Sequence, residues 1–299
     1  MTGKHILITG GTGFIGQNLV KKLLSSQHKI GLVVRNKSSA VSLFTSNVDY
    51  MESQNNENFT KEIVAFAPDI VIHLAAYSTS RDDIEAIEDL ITSNILFVSK
   101  LLDALRTTEL ELFINAASFS EYHANDEHLS PSYFYSATKT AARFIIEYFS
   151  QVYKFKFANT ILYSVYGKQS PAKKVIDYIV ESLDKPSLVK MTAGEQVLDF
   201  IDVDDVTEFY LTLIDKSQTL VAGYQEYRVG TGRGMKIKTL ALLIESASKK
   251  KANVDWGAIE YRARDTMEAI ANTDSAKSLG WVPKINIESG IKQYLTDIN

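Results

Sequence analysis

The sequence predicts an α/β fold built on a doubly wound parallel sheet, and three observations predict it. Short, wholly apolar runs, His5–Thr9 and the DIVIHL stretch at 69–74, read as strands buried on both faces. Segments between such runs repeat their apolar residues at helical spacing, as helices packed on a sheet do. The first run passes directly into a glycine-rich turn, Thr9-Gly10-Gly11-Thr12-Gly13-Phe14-Ile15-Gly16, which opens a helix.

Taken in order, the first helix carries Phe14, Ile15, Leu19, Val20, Leu23 and Leu24 on its buried side. A second strand follows at Lys29–Val34, and 58–66 has helical periodicity before the strand at 69–74. The alternation continues with a helix at 91–106, a strand at 112–115, a helix at 135–152 and a strand at Lys156–Leu162. Beyond Gly167 it becomes irregular, with turns at Ser170-Pro171 and Ala193-Gly194 and a glycine-rich stretch at 230–234. The expected division is a Rossmann-like dinucleotide-binding domain over 1–167, with about 200–230 returning to it, and a smaller substrate-binding lobe over 168–299.

A chain of 299 residues, 45% of them hydrophobic, has ample material for a packed core. A net charge of −4 and a pI near 5.8 supply no excess of cations for a nucleic-acid backbone or an anionic membrane, so neither partner is expected. There is no cysteine, and the five histidines have no metal-ligand spacing, so no metal site is expected. No stretch approaches the roughly 20 apolar residues needed to cross a bilayer. A cytoplasmic location is the expectation.

The glycine turn stands where a pyrophosphate would meet free backbone N–H groups and the positive end of a helix dipole. About 20 residues further on, where an acidic residue would accept the ribose hydroxyls of NAD, the chain reads Arg35-Asn36-Lys37-Ser38. A planar cation able to pair with a 2′-phosphate, with a second cation and a hydroxyl beside it, favours NADP(H) over NAD(H). Tyr135 and Lys139 lie four residues apart, on one helix face. A nearby ammonium stabilises a phenolate, so Lys139 is expected to lower the pKa of Tyr135 and make it an acid–base catalyst. Ser118, just past the strand at 112–115, would stand at the carboxyl end of the sheet, where such folds bind ligands, and could polarise a carbonyl. His73 lies in a wholly apolar strand and is read as a buried histidine with a structural hydrogen bond.

These segments together resemble the extended short-chain dehydrogenase/reductases, the NAD-dependent epimerase/dehydratase family, over nearly the full length. The matching positions are 9–16, 69–76 (DIVIHLAA), Asn94, Ser118, Tyr135 with Lys139, Val165-Tyr166-Gly167, Gly194-Glu195-Gln196 with 199–206 (DFIDVDDV), 229–232 and Leu279-Gly280-Trp281. The resemblance implies that Gly10, Thr12, Gly13, Phe14, Ile15 and Gly16 hold the pyrophosphate and that Leu74, Ala75 and Ala76 line the cofactor. It implies further that Asn94 supports the site, Tyr166 flanks the nicotinamide, Tyr135 donates the proton, Lys139 also binds the nicotinamide ribose, and Ser118 holds the sugar oxygen.

Family members that dehydrate a sugar carry Asp-Glu directly after the residue matching Ser118; here Phe119 and Ser120 stand there, which removes that acid and base. The segments 192–196, 226–232 and 256–262 are similar to the branch of CDP-abequose synthase-like nucleotide-sugar 4-ketoreductases, which serve surface polysaccharide synthesis. The resemblance implies an NADPH-dependent reduction of a C4 ketone, with Ser120 near the sugar and Lys173 and Arg262 on the diphosphate. Relatives often have Arg where Leu198 stands and Arg near Ile161, and Asp49 only roughly occupies the position of an acidic adenine contact. Two alternatives remain: a 4-epimerase with tightly held NAD, and a non-catalytic dinucleotide sensor. The resemblance also implies a homodimer paired through the helices beginning near Ile91 and Tyr135.

Overall fold

Parallel pairing turns the apolar runs of the first half into one sheet. The computed structural model describes residues 3–44, 47–53, 56–124, 128–168 and 173–298, which leaves the Ser170-Pro171 turn outside the described residues. In chain order the first half comprises β1 (His5–Thr9), α1 (Phe14–Leu23), β2 (Lys29–Val34), α2 (Lys37–Val41), β3 (Val48–Glu52), α3 (Asn56–Phe66), β4 (Ile70–His73), α4 (Ile84–Ile91), α5 (Phe97–Ala104), β5 (Leu112–Ser118), α6 (Phe134–Tyr153) and β6 (Lys156–Leu162). The second half adds β7 (Ser164–Tyr166), α7 (Val175–Ser182), β8 (Val189–Met191), β9 (Val197–Asp202), α8 (Val203–Lys216), β10 (Tyr224–Val229), β11 (Gly234–Lys236), α9 (Ile237–Ser248), β12 (Val254–Trp256), β13 (Glu268–Ala269), α10 (Asp274–Ser278) and α11 (Ile287–Ile298).

Seven strands form the main sheet in the order β10-β6-β5-β4-β1-β2-β3, and every neighbouring pair is parallel. The doubly wound α/β expectation is thus met. Apolar side chains from alternate strand positions fill two layers. One packs α1 and α8 against Ile6, Ile8, Ile70 and Ile114; the other packs α3, α5 and α6 against Leu7, Val71, Phe113 and Phe157. A third cluster joins α7, α9 and α11 around Tyr166, Phe200 and Leu240. The chain from α8 to β10 rejoins the main sheet: β10 pairs with β6, and α8 lies on α1.

Two differences from the sequence reading bear on the site. Strand β5 runs on to Ser118, so Ser118 ends the strand in register with Leu162. The helix expected over 91–106 is divided, with α4 and α5 joined by a π turn at Thr92–Leu96 that contains Asn94. Such turns often mark functional positions.

The DFIDVDDV segment has a structural explanation. Asp199, fully buried, accepts hydrogen bonds from the backbone N–H groups of Thr231, Gly232 and Ala271 at 2.8–3.2 Å. Asp202 caps α8 through the Asp204 N–H at 2.8 Å, and Asp205 holds the N–H groups of Lys284 and Ile285 at 2.9 Å. Asp199 and Asp205 therefore fasten β9 and α8 to three later loops by satisfying backbone donors, while Asp202 caps α8 locally.

Candidate active site

The glycine turn is set by close backbone approaches. Gly10 has φ 69°, and a Cβ there would stand 2.6 Å from the Ala75 nitrogen, so glycine alone lets the turn after β1 press on the chain leaving β4. A Cβ on Gly16 would come within 2.2 Å of the Gly10 carbonyl oxygen, which brings α1 flush against the turn. Helix α1 starts after Gly13 with no side-chain cap, leaving its first N–H groups and the positive end of its dipole for an anion. Thr12 is exposed, Ile15 half-buried and Phe14 buried. This cradle fits a pyrophosphate, because side chains at its glycines would fill it.

Arg35, Asn36, Lys37 and Ser38 are all exposed at the carboxyl end of β2. Asn36 Oδ1 caps α2 by accepting from the Ser39 N–H at 3.0 Å, and the Lys37 N–H donates to Glu52 at 2.8 Å. Asp49 pairs with Lys29 at 3.1 Å, an exposed ion pair between neighbouring strands.

Leu74 and Ala75 are half-buried and Ala76 exposed as the chain leaves β4. Thr9 holds both neighbours of this exit: its carbonyl accepts from the Leu74 N–H at 3.1 Å, and its hydroxyl accepts from the Ala75 N–H at 3.2 Å. The same hydroxyl lies 2.8 Å from His73 Nδ1. His73 is fully buried, and burial first, then the nearby Lys139 charge, pushes it down to about 3. It is a neutral structural histidine, as its apolar strand suggested. Asn94, also buried, accepts from the Tyr77 N–H at 2.8 Å and donates to the Tyr77 carbonyl at 3.0 Å and to the Thr138 hydroxyl at 2.9 Å. One amide thus ties the chain after β4 to α6, one residue before Lys139.

Ser118, Tyr135 and Lys139 are gathered around a residue that the sequence reading passed over. Glu121, fully buried, accepts from the Ser118 N–H at 2.9 Å and interacts electrostatically with both Tyr135 and Lys139. Lys139 is buried, which pulls it down to about 8 against the opposing pull of Glu121. The Tyr135 phenol hydrogen-bonds with Ser78 and, contrary to the expected lowering, is pushed well above the ordinary phenol value. Burial is the largest cause, with Tyr133 and Glu121 adding to it.

A known family matches this arrangement. The model of the NAD dependent epimerase/dehydratase family matches residues 6–230. The chain belongs to that family. Over 298 residues it is 32% identical to CDP-abequose synthase of Salmonella typhimurium (strain LT2), covering 98% of this chain and 97% of the relative. Among solved structures it is similar to UDP-glucose 4-epimerase from Thermotoga maritima, with a TM-score of 0.85 at 23% identity, and to UDP-glucuronic acid 4-epimerase from Bacillus cereus, with 0.87 at 19%. Each likeness spans 98% of both chains. This epimerase/dehydratase family member is an enzyme of the nicotinamide-dinucleotide-dependent oxidoreductase type.

In this family member some expected site residues stand elsewhere. The Tyr166 side chain is buried. It is 2% exposed in the apolar cluster that joins α7, α9 and α11, and its hydroxyl presses on α11, where a Cβ on Gly290 would collide with it. Ser120 is buried behind Ser118, with the two hydroxyls 2.8 Å apart. Lys173 is exposed and paired with Glu181 at 2.9 Å on the surface. Arg262 does reach toward the site: its guanidinium donates to Ser80 at 2.7 Å, two residues from the Ser78 that meets Tyr135.

Sequence reading also missed Ser78 and Lys174. The Lys174 ammonium lies 4.2 Å from the Phe14 ring centre beside the glycine turn, donates to the Val165 carbonyl at 2.7 Å, and is pulled down to about 8 by burial. Neither lies in a recognisable motif; contact across the fold is their only signal.

Proposed function

We propose that this enzyme reduces the C4 ketone of a nucleotide-linked deoxysugar with NADPH. The observation that carries the reading is the convergence of Ser118, Tyr135 and Lys139 on Glu121 at the carboxyl ends of the strands, with the phenol held protonated by burial. The full-length likeness to a CDP-abequose synthase supports this substrate class. So does the pair Phe119-Ser120, which leaves the site without the two carboxyl groups a dehydration needs.

The glycine turn and the amino end of α1 would hold the pyrophosphate, and Leu74, Ala75 and Ala76 would line the path of the cofactor. The exposed Arg35–Ser38 loop would take the 2′-phosphate. Lys139 would bind the nicotinamide ribose, and Asn94 fixes α6 beneath it. When bound, the dinucleotide supplies the hydride. Ser118 donates a hydrogen bond to the ketone oxygen, and Tyr135 gives that oxygen its proton as charge develops there, so both act where the transition state gains negative charge. A neutral Tyr135 is the state that reduction requires. Arg262, at the rim beside Ser80, would meet the diphosphate of the substrate. The exposed apolar face of α6 supports a homodimer.

Purified protein is titrated with NADPH and NADH and then assayed with 4-keto nucleotide sugars by loss of reduced-nicotinamide absorbance. Tighter NADPH binding and substrate-dependent oxidation are expected, with Tyr135→Phe losing turnover by about 10²-fold or more while still binding NADPH. Retained cofactor that is never consumed, with interconversion of two C4 epimers, would replace this reading with an epimerase; binding without turnover on any substrate would leave a sensor.

A further inference from the structure

The Glu121 carboxylate lies in the interior with two unequal claims on it. Its first partner is Arg143, 4% exposed on α6, whose guanidinium meets Glu121 Oε2 at 3.1 Å. The same guanidinium meets Glu226 on β10 at 3.1 Å, donates to the Tyr122 hydroxyl at 2.7 Å and lies over the Tyr122 ring. Glu226 is shared, since it also meets Arg228 at 3.5 Å, so Glu121 and Glu226 together face the cations Arg143 and Arg228.

The remaining contacts of Glu121 point to the catalytic group. Oε1 accepts the Ser118 N–H at 2.9 Å, and Oε2 accepts the Thr140 hydroxyl at 3.2 Å, one residue beyond Lys139. Glu121 from the turn after β5 and His73 from β4 interact electrostatically with Lys139, and Tyr135 and Arg143 stand four residues to either side of it on α6. His73 is neutral and Arg143 is a cation. Among the described residues Glu121 is therefore the one carboxyl group set against the Lys139 ammonium; burial raises its own pKa, opposed by Arg143, the Ser118 N–H, Lys139 and Thr140.

Resting on the catalytic reading of Ser118, Tyr135 and Lys139, we infer that Glu121 is a positioning residue, which anchors the end of β5 through the Ser118 N–H and supplies the anion that keeps Lys139 an ammonium. Arg143, itself paired with Glu226, holds that carboxylate in place from the opposite side. Glu121 acts through its neighbours and need not touch a substrate.

The test separates charge from packing. Glu121→Gln keeps the shape and an oxygen for the Ser118 N–H but removes the charge; adding Arg143→Met removes the cation left without its second anion. NADPH binding to the wild type and both variants is followed from pH 6.5 to 10 by protein fluorescence, with thermal melts alongside. Wild-type binding should weaken as Lys139 loses its proton, with a midpoint near 8. In Glu121→Gln that midpoint should fall by about 1 pH unit or more. The double variant should regain wild-type melting yet keep the lowered midpoint. Coincident midpoints in the wild type and Glu121→Gln, or a double variant restored in both melting and midpoint, would overturn the inference and leave Glu121 as a packing partner of Arg143. A wild type that binds neither nucleotide at any pH would remove the catalytic reading as well. Tyr135→Phe tells the two apart, since it should keep the wild-type binding curve while turnover is lost.

Discussion

His73 occupies a strand whose neighbours Ile70, Val71 and Ile72 are fully buried, and its ring Nδ1 lies 2.8 Å from the Thr9 hydroxyl. Protonating it would place a charge beside Lys139 in the interior, so its folded pKa lies far below the unfolded value. A basic group with a depressed folded pKa contributes stability above its unfolded value of about 6.5, and that contribution is lost as pH falls from there toward 3, at up to about 1.4 kcal/mol per unit. The unfolded chain takes up the proton in that window and the folded one does not. His73→Asn, which can keep the bond to Thr9, should flatten the loss between pH 6.5 and 4.5 in denaturant melts relative to the wild type. Equal slopes would mean that other groups govern acid unfolding. Histidine in an apolar run was enough to suggest a buried structural role, because a strand buried on both faces has no water in which to charge it. Glu121 gave no such sign. A glutamate between Ser120 and Tyr122 looks like a surface residue until Arg143, twenty-two positions later, is brought against it.

The turn from β1 into α1 joins local sequence to chemistry most directly. Its glycines are needed at particular atoms: Gly10 against the Ala75 backbone and Gly16 against the Gly10 carbonyl. Gly16→Ala should force the turn away from α1, cost on the order of 1–3 kcal/mol as an overpacked contact, and weaken NADPH binding more than it lowers the melting temperature would account for. Calorimetric titration beside a thermal melt would check this, and unchanged affinity would show that the turn adapts. The element read least well was the helix expected over 91–106. Its apolar spacing is continuous, yet the backbone widens into a π turn at Thr92–Leu96, where the Asn94 amide bonds to Tyr77 and Thr138. Periodicity cannot register such a turn, because the bonds that favour it come from other elements.

Across the whole molecule, Phe144, Tyr148 and Val152 form a stripe on α6 with 56%, 62% and 49% exposure, four residues apart and thus on one face. Ile91 at 42% and Leu96 at 46% are exposed on the α4–α5 segment, which packs beside α6. An apolar surface of this kind suits a twofold pairing in which the same helices from two copies cover one another. Phe144→Glu combined with Tyr148→Glu should give a monomer in sedimentation with the wild-type far-ultraviolet circular dichroism, and a wild type already monomeric at tens of micromolar would refute the pairing.

What the sequence determined by itself was everything encoded within a single element and its turn. Strands buried on both faces announce themselves by unbroken apolar runs, a phosphate turn by glycines between strand and helix, and the Tyr135–Lys139 pair by its four-residue spacing, since each rests on near-neighbour geometry. Tertiary structure decided which polar groups share one dry environment. It moved Tyr166 and Ser120 into the interior, left Lys173 on a surface ion pair, and placed Glu121 between Ser118 and Lys139. Electrostatic and burial energies depend on distance in space and on excluded water, and neither quantity is fixed until elements far apart in the chain have packed together.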